Sequence, residues 1–156
     1  MASDHALRLG KLLGNLQSLE ALLRIYLLKV GTGASLGAPA KKPYWDLLEG
    51  EVVDDDEFTN YDSLGQLIAK YNMHVTSRFP QFCVSTEIVK VRDLLAHGRV
   101  AGTSQDTTTL KILKFTKPKD GKAIVTTSNL MDDSWFDLNI ALSRAQIENV
   151  ARAINS

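Results

Sequence analysis

Leu9, Leu12, Leu16, Leu19, Leu23, Tyr26 and Val30 recur at alternating steps of three and four residues. That spacing keeps one apolar stripe on one side of a helix, so it predicts a single long helix of about four heptads. Ser3 is placed to cap its start, Asp4 suits its first turn, and Gly31 and Gly33 would stop it. Leucines 13, 22, 27 and 28 widen the stripe, as in a helix inside a bundle. The stripe is broader than one neighbour requires, which predicts a homodimer of two-fold symmetry.

Residues 31–43 read as a loop rich in Gly, Ala and Pro, and residues 44–62 as a short helical turn at 44–49 followed by a polar loop. A second helix, capped by Asn60 or Asp62, would turn Leu64, Leu67, Ile68 and Tyr71 inward. After a break at Phe79-Pro80, a third helix from Val84 to His97 shows Val84, Ile88, Val91 and Leu95 on one face and closes at Gly98. The period then shortens. Residues 99–103 and 109–116 look extended, Lys117-Pro118-Lys119-Asp120-Gly121 is a hairpin turn, and Ala123–Ser128 is the return strand. Trp135–Leu138 is read as a short third strand or as packing for the hairpin. Ser143-x-x-Gln146 is read as the capping box of a last helix burying Ile147, Val150 and Ile154. The predicted fold is mainly α, of α+β class: four or five helices with one antiparallel β-hairpin between the third and last. It forms a single domain, 1–156, helical over 4–98 and 143–154 with the hairpin region at 99–138.

Composition fits one ordinary globular domain, 44% hydrophobic and 23% charged, with 18 basic and 18 acidic residues. A neutral chain is not a general nucleic-acid coat. The charges are unevenly placed, however. Residues 44–62 carry eight acids and no Lys or Arg, whereas residues 86–122 carry eight Lys or Arg against four acids. The start of the chain lacks the basic-then-apolar pattern of a secretory leader. No run of 18 apolar residues could span a membrane, and the most apolar stretch, Ala21 to Val30, contains Arg24 and Lys29. The lone Cys83 cannot form an internal disulfide, which fits a cytoplasmic protein.

Several motifs fail on context. Gly33-Ala34-Ser35-Leu36-Gly37 spells G-x-S-x-G, but a nucleophile elbow needs a strand before it and a helix after it, the reverse of the pattern here. Asp54-Asp55-Asp56 lacks the spacing of a calcium loop and reads as solvated acid. No ligand cluster implies a metal, and no pattern implies a cofactor.

The chemically informative string is Val91-Arg92-Asp93-Leu94-Leu95-Ala96-His97-Gly98-Arg99-Val100. Arg92 is a permanent cation and His97 titrates near neutral pH. Together they suit phosphodiester cleavage: His97 moves a proton, and Arg92 offsets the charge of the phosphorane-like transition state. The spacing alone decides nothing, because with this content of Arg and His an R-x(4–6)-H string arises roughly 0.4 times by chance. Arg and His are also favoured in any helix's last turn.

Arg92, the polar Asp93, and Ala96-His97-Gly98 at the end of a late helix resemble the signature of the HEPN superfamily (higher eukaryotes and prokaryotes nucleotide-binding domain). The long first helix, the Leu64-Gly65-Gln66-Leu67-Ile68 segment and a closing helix add to the likeness, and Asn is commoner than Asp after the Arg. The resemblance covers residues 4–98 and 143–154, with 99–138 as an insertion. It implies a metal-independent RNA endonuclease of the toxin–antitoxin or phage-defence kind, leaving 2′,3′-cyclic phosphate ends. Arg92 and His97 would be catalytic at a dimeric cleft, with Asp93 in support. Arg99, Lys111 and Lys114 would contact RNA, and an antitoxin or other protein would be a partner. On an ideal helix residues five apart lie about 140° apart, so Arg92 and His97 share a face only if the helix end at His97-Gly98 is distorted; alternatively a second subunit completes the site, as the resemblance implies. Two other readings stay open: a module that holds RNA or nucleotide without cutting it, and a structural or adaptor helical domain.

Overall fold

The computed structural model describes residues 2–32, 42–102 and 109–156. Helix α1 spans Ala2–Thr32, α2 Leu64–Val75, α3 Glu87–His97 and α4 Asp133–Ile154. Short 3-10 turns lie at Tyr44–Asp46 and Pro80–Phe82. Three strands, β1 (Arg99–Gly102), β2 (Leu110–Phe115) and β3 (Val125–Leu130), form one antiparallel sheet in the order β1-β2-β3. The fold is mainly helical and of α+β class. Among the described residues no helix is long and apolar enough to cross a membrane. The chain groups into two compact units, Met1–Gln17 with Ser85–Ala145, and Ser18–Val84 with Gln146–Ser156.

In the first unit the core is Leu12, Leu94, Ile112, Met131 and Phe136, joined by half-buried Leu9, Val91, Leu95 and Trp135. His5 and Trp135 each meet Phe136 edge-on at 5.0 Å. The predicted hairpin is one half of a meander. Arg99 pairs with Leu113 and Ala101 with Lys111, so the 99–102 segment is a strand of the same sheet. The turn is tighter than predicted: Asp120 (φ 51°) and Gly121 (φ 71°) both take the left-handed region, and Lys119 and Lys122 exchange backbone hydrogen bonds. The return strand starts at Val125 rather than Ala123.

Helix α4 corrects two readings. Trp135–Leu138 is helical, not a strand, and Ser143 and Gln146 lie mid-helix, buried, rather than at its start. The true cap is Asp132, whose Oδ1 accepts from the Ser134 hydroxyl (2.7 Å) and the Trp135 backbone N–H (2.9 Å). These bonds hold the Asp132 carboxyl below the usual carboxylate range, the Trp135 N–H contributing most. The buried line of α4 is Phe136, Asn139, Ser143, Gln146, Val150 and Ala153. Its polar middle is satisfied: Asn15 Nδ2 donates to Ser143 Oγ at 2.9 Å, and Asn139 Nδ2 to the Trp135 carbonyl at 2.7 Å. Ile147 and Ile154 only flank this line.

In the second unit Leu19, Leu23, Tyr26, Leu27, Leu67, Ile68, Tyr71, Val75 and Val150 are buried. Each such side chain contributes about 1.5–3 kcal/mol on burial. Tyr26 and Tyr71 meet edge-on at 4.8 Å, and Tyr71 donates to the Phe82 carbonyl at 3.0 Å. The α1 stripe is buried from Leu12 to Leu27, but Val30 and Leu13 are exposed. The helix already contains Ser3 and continues through Gly31, so neither is its cap; Gly33 and the G-x-S-x-G string lie outside the described residues. The cap of α2 is Ser63, not Asn60 or Asp62, with Gln66 completing a capping box.

The acidic segment is packed rather than merely solvated. Tyr44 stacks on Phe58 at 4.1 Å and donates its hydroxyl to Asp56. Asp56 Oδ1 accepts from the backbone of Phe58 and Thr59. The Tyr44 hydroxyl is pushed up to about 12, by burial first and by the Asp56 carboxylate second. Arg24, only 8% exposed, donates to the carbonyls of Glu57 (3.2 Å), Asn60 (3.0 Å) and Asp62 (3.0 Å), to Asn60 Oδ1 (2.9 Å) and to Glu20 (3.0 Å). Lys70 bridges Asp62 (2.7 Å) and Glu57 (3.0 Å), which hold its ammonium above its ordinary value.

Candidate nucleic-acid site

All six residues singled out by the sequence lie in the first unit, on α3, β1 and β2. Helix α3 forms because Ile88, Val91, Leu94 and Leu95 give it one apolar side, of which Ile88 and Leu94 are buried. It stays regular to its end, where the Gly98 N–H donates to the Leu94 carbonyl at 2.8 Å. Gly98 is extended (φ −70°, ψ 161°), so it is not the left-handed stop that the sequence suggests. Its requirement is space: a Cβ there would lie 2.4 Å from the Leu94 carbonyl oxygen and 2.7 Å from Ile112 Cγ1. Glycine lets β2 close over the helix end, and the chain enters β1 at once.

Because α3 is undistorted, Arg92 and His97 point about 140° apart. One chain does not bring them face to face. Both are exposed, at opposite borders of the outward side of α3, with Ala96 and the half-buried Val89 and Asp93 between. Arg92 Nη1 is 3.5 Å from Asp93 Oδ1, with the two side chains 43% and 40% exposed. A contact that long between exposed neighbours contributes little and leaves the guanidinium able to take another anion. Among the described residues the His97 ring has no hydrogen-bond partner; Arg99 Nη1 reaches only its backbone carbonyl, at 3.4 Å.

The cations of the sheet divide between its faces. Ile112 is buried, so the alternation of β2 puts Leu110, Ile112 and Lys114 on the core side and Lys111 and Leu113 on the outer side. Phe115 follows a register shift in which β3 carries the extra residue Thr126, so the β2 alternation continues and places it on the outer side as well. Register adds Arg99 and Ala101 from β1, and Val125, Ser128 and Leu130 from β3, to the outer face. Lys111 and Arg99 thus share a face; Lys114 does not. Sequence reasoning missed Phe115, which is 42% exposed on that face, because an apolar residue in a strand reads first as core.

Other concave features are elsewhere. A groove of about 420 Å³ in the same unit is lined by Leu7, Ile140 and Ala141 with Arg8, Lys11, Arg144 and Asp137, which pairs with Arg8 at 2.7 Å, and by none of the α3 or sheet residues. Among the described residues no group of three or more His, Cys, Asp or Glu is arranged to hold a metal ion. In comparisons with known proteins, no family model, no curated protein and no solved structure matches this chain.

Proposed function

We propose that this chain is a HEPN-like, metal-independent RNA endonuclease whose site is completed by a second copy across the outward side of α3. The reading is carried by one observation: Arg92 and His97 are both exposed on the outward side of α3, Arg92 meeting only Asp93 at 3.5 Å among the described residues. Between them Val89 and Ala96, seven residues apart, form a small apolar seam on which an identical helix can lie. Two-fold pairing with the two helices parallel along that seam sets Arg92 of one copy on the flank of His97 of the other.

The chemistry follows from those groups. The ribose 2′-oxygen attacks the adjacent phosphorus and the bond from phosphorus to the 5′-oxygen breaks. The products are a 2′,3′-cyclic phosphate and a 5′-hydroxyl. The 2′-hydroxyl gives up its proton and the leaving 5′-oxygen takes one; the one His97 that faces Arg92 takes the first proton and returns it to the 5′-oxygen as that bond breaks. Arg92 holds the non-bridging phosphate oxygens through its planar fork, which an ammonium cannot reproduce. Asp93, adjacent to Arg92, takes the supporting role of orienting one of the two residues or acting through water.

The test is cleavage of single-stranded RNA with chelator present. His97→Ala and Arg92→Lys should each lose cleavage and keep the fold. Mixing His97→Ala with Arg92→Ala protomers should restore part of it, since the hybrid dimer holds one intact Arg–His pair. Cleavage that survives His97→Ala, or stops with chelator, overturns the mechanism. Salt-sensitive RNA binding without any cleavage by the wild type would make the chain a binding module instead.

A further inference from the structure

We infer that the outer face of the three-stranded sheet is a binding track for single-stranded RNA, leading the strand to the end of α3. The inference rests on the reading of Arg92 and His97 as an RNA site and names the surface that would hold the substrate. Three observations carry it. First, Arg99 and Lys111 share the outer face with Phe115, whose ring is open to solvent and available for a base to stack on. Second, the hairpin that prolongs the sheet presents Lys117, Lys119 and Lys122, all exposed; Asp120 is the only acid among the described residues of 99–130. The polarity matches a polyanion, and most acidic residues of the chain lie outside this segment. Third, β1 begins one residue after His97–Gly98, and Arg99 leans back onto the His97 carbonyl. A backbone held by Arg99 therefore has its next phosphates at the α3 end. Six-residue strands give this face a length of about 20 Å.

Outer-face Leu113, Val125 and Leu130 would also suit an acidic protein segment. The charge pattern, the accessible ring and the junction with His97 favour RNA, and the alternative is an outcome of the test. The probe is a fluorescent oligouridylate of about 12 nucleotides, titrated by anisotropy at several salt concentrations against His97→Ala protein, which binds without cutting. Phe115→Ala in that background should weaken binding about tenfold. Arg99→Gln and Lys111→Gln should each lower the slope of log affinity against log salt by about 0.7. Lys114→Gln, on the core side, should change it least. In the otherwise wild-type protein, Phe115→Ala should slow cleavage of the long oligonucleotide and spare a dinucleotide, which is too short to reach the sheet.

If the sheet substitutions weaken oligonucleotide binding while the wild type cuts nothing, the track stands and the endonuclease reading falls. If cleavage is intact and the sheet substitutions alter neither affinity nor salt slope, the track falls and the endonuclease reading stands. A sheet substitution that leaves RNA affinity unchanged but shifts the sedimentation coefficient makes the face a protein interface and overturns the track.

Discussion

Two arginines on helices of this chain live under opposite conditions. Arg24 is buried, and its guanidinium is spent on a carboxylate, a side-chain amide and the carbonyls of Glu57, Asn60 and Asp62. Arg92 is open to solvent and meets one carboxylate at 3.5 Å. Arg24 gathers an acidic loop whose backbone would otherwise hold unpaired carbonyls. Arg92 gathers nothing of its own chain. An arginine whose hydrogen-bonding capacity the fold has used is structural; one left exposed with a single 3.5 Å carboxylate contact keeps most of its donors turned to solvent. The difference lies in the surroundings of each residue and not in its type.

The comparison breaks most sharply under substitution. Arg24→Ala should cost about 3–5 kcal/mol, because several loop carbonyls and Glu20 lose their donor in a buried place. Arg92→Ala should change stability by less than about 0.5 kcal/mol, as at other exposed sites. Urea denaturation of the two variants measures the gap; equal losses would erase the distinction drawn here.

Gly98→Ala comes next. The added methyl must displace the Leu94 carbonyl or Ile112, at a cost of about 1–3 kcal/mol, although the backbone angles suit alanine. Ile112→Val in the same chain should recover little, because it removes only Cδ1, 2.9 Å from the added carbon, and keeps Cγ1 at 2.7 Å. A thermal scan showing Gly98→Ala as stable as wild type would mean that the strand does not close on the helix end.

The smallest effect is a pH dependence. Tyr44→Phe removes the hydroxyl's bond to Asp56 and should cost about 0.5–1.5 kcal/mol at neutral pH. The Tyr44 hydroxyl holds its proton up to about 12 in the fold, against about 10 in the unfolded chain. The raised value contributes stability that is whole below pH 10 and is lost as pH rises toward 12. The difference between wild type and Tyr44→Phe should therefore shrink across that interval. A constant difference from pH 9 to about 12 would show that the hydroxyl is not held by the acidic loop.

Much of the helical architecture was legible because apolar spacing is a direct record of burial. Leu12, Leu16, Leu19 and Leu23 lie inside as their period requires, and so do Leu64, Leu67, Ile68 and Tyr71. The start of α4 was hidden because its buried line passes through Asn139, Ser143 and Gln146, which interrupt the apolar pattern. Asp132, placed to cap the helix three residues before Trp135, was the available signal. Residues 99–103 and 109–116 were legible as extended, but their pairing was not, because the four exposed residues of β1 carry no alternation to fix a register. At the candidate site the residue types of Arg92 and His97 and their place at a helix end were readable. Their exposure, the division of Lys111 from Lys114 and the face on which Phe115 lies needed the structure and its register. Arg24 could not be recognised as the anchor of the acidic loop, since its partners are mostly backbone carbonyls, which every residue carries.

The bond between Asn15 and Ser143 has a consequence for how the chain avoids wrong packing within the first unit. Hydrocarbon faces can slide by a helical turn and still bury comparable area. A hydroxyl and an amide that meet only at one setting cannot, because a slip leaves the buried Ser143 hydroxyl, which donates to the Ile140 carbonyl, without the donor that Asn15 gives it. The polar pair thus works as a ward in a lock: it gives up some of the gain that two leucines would bring, and in exchange admits one alignment of α1 with α4 out of several that grease alone would accept.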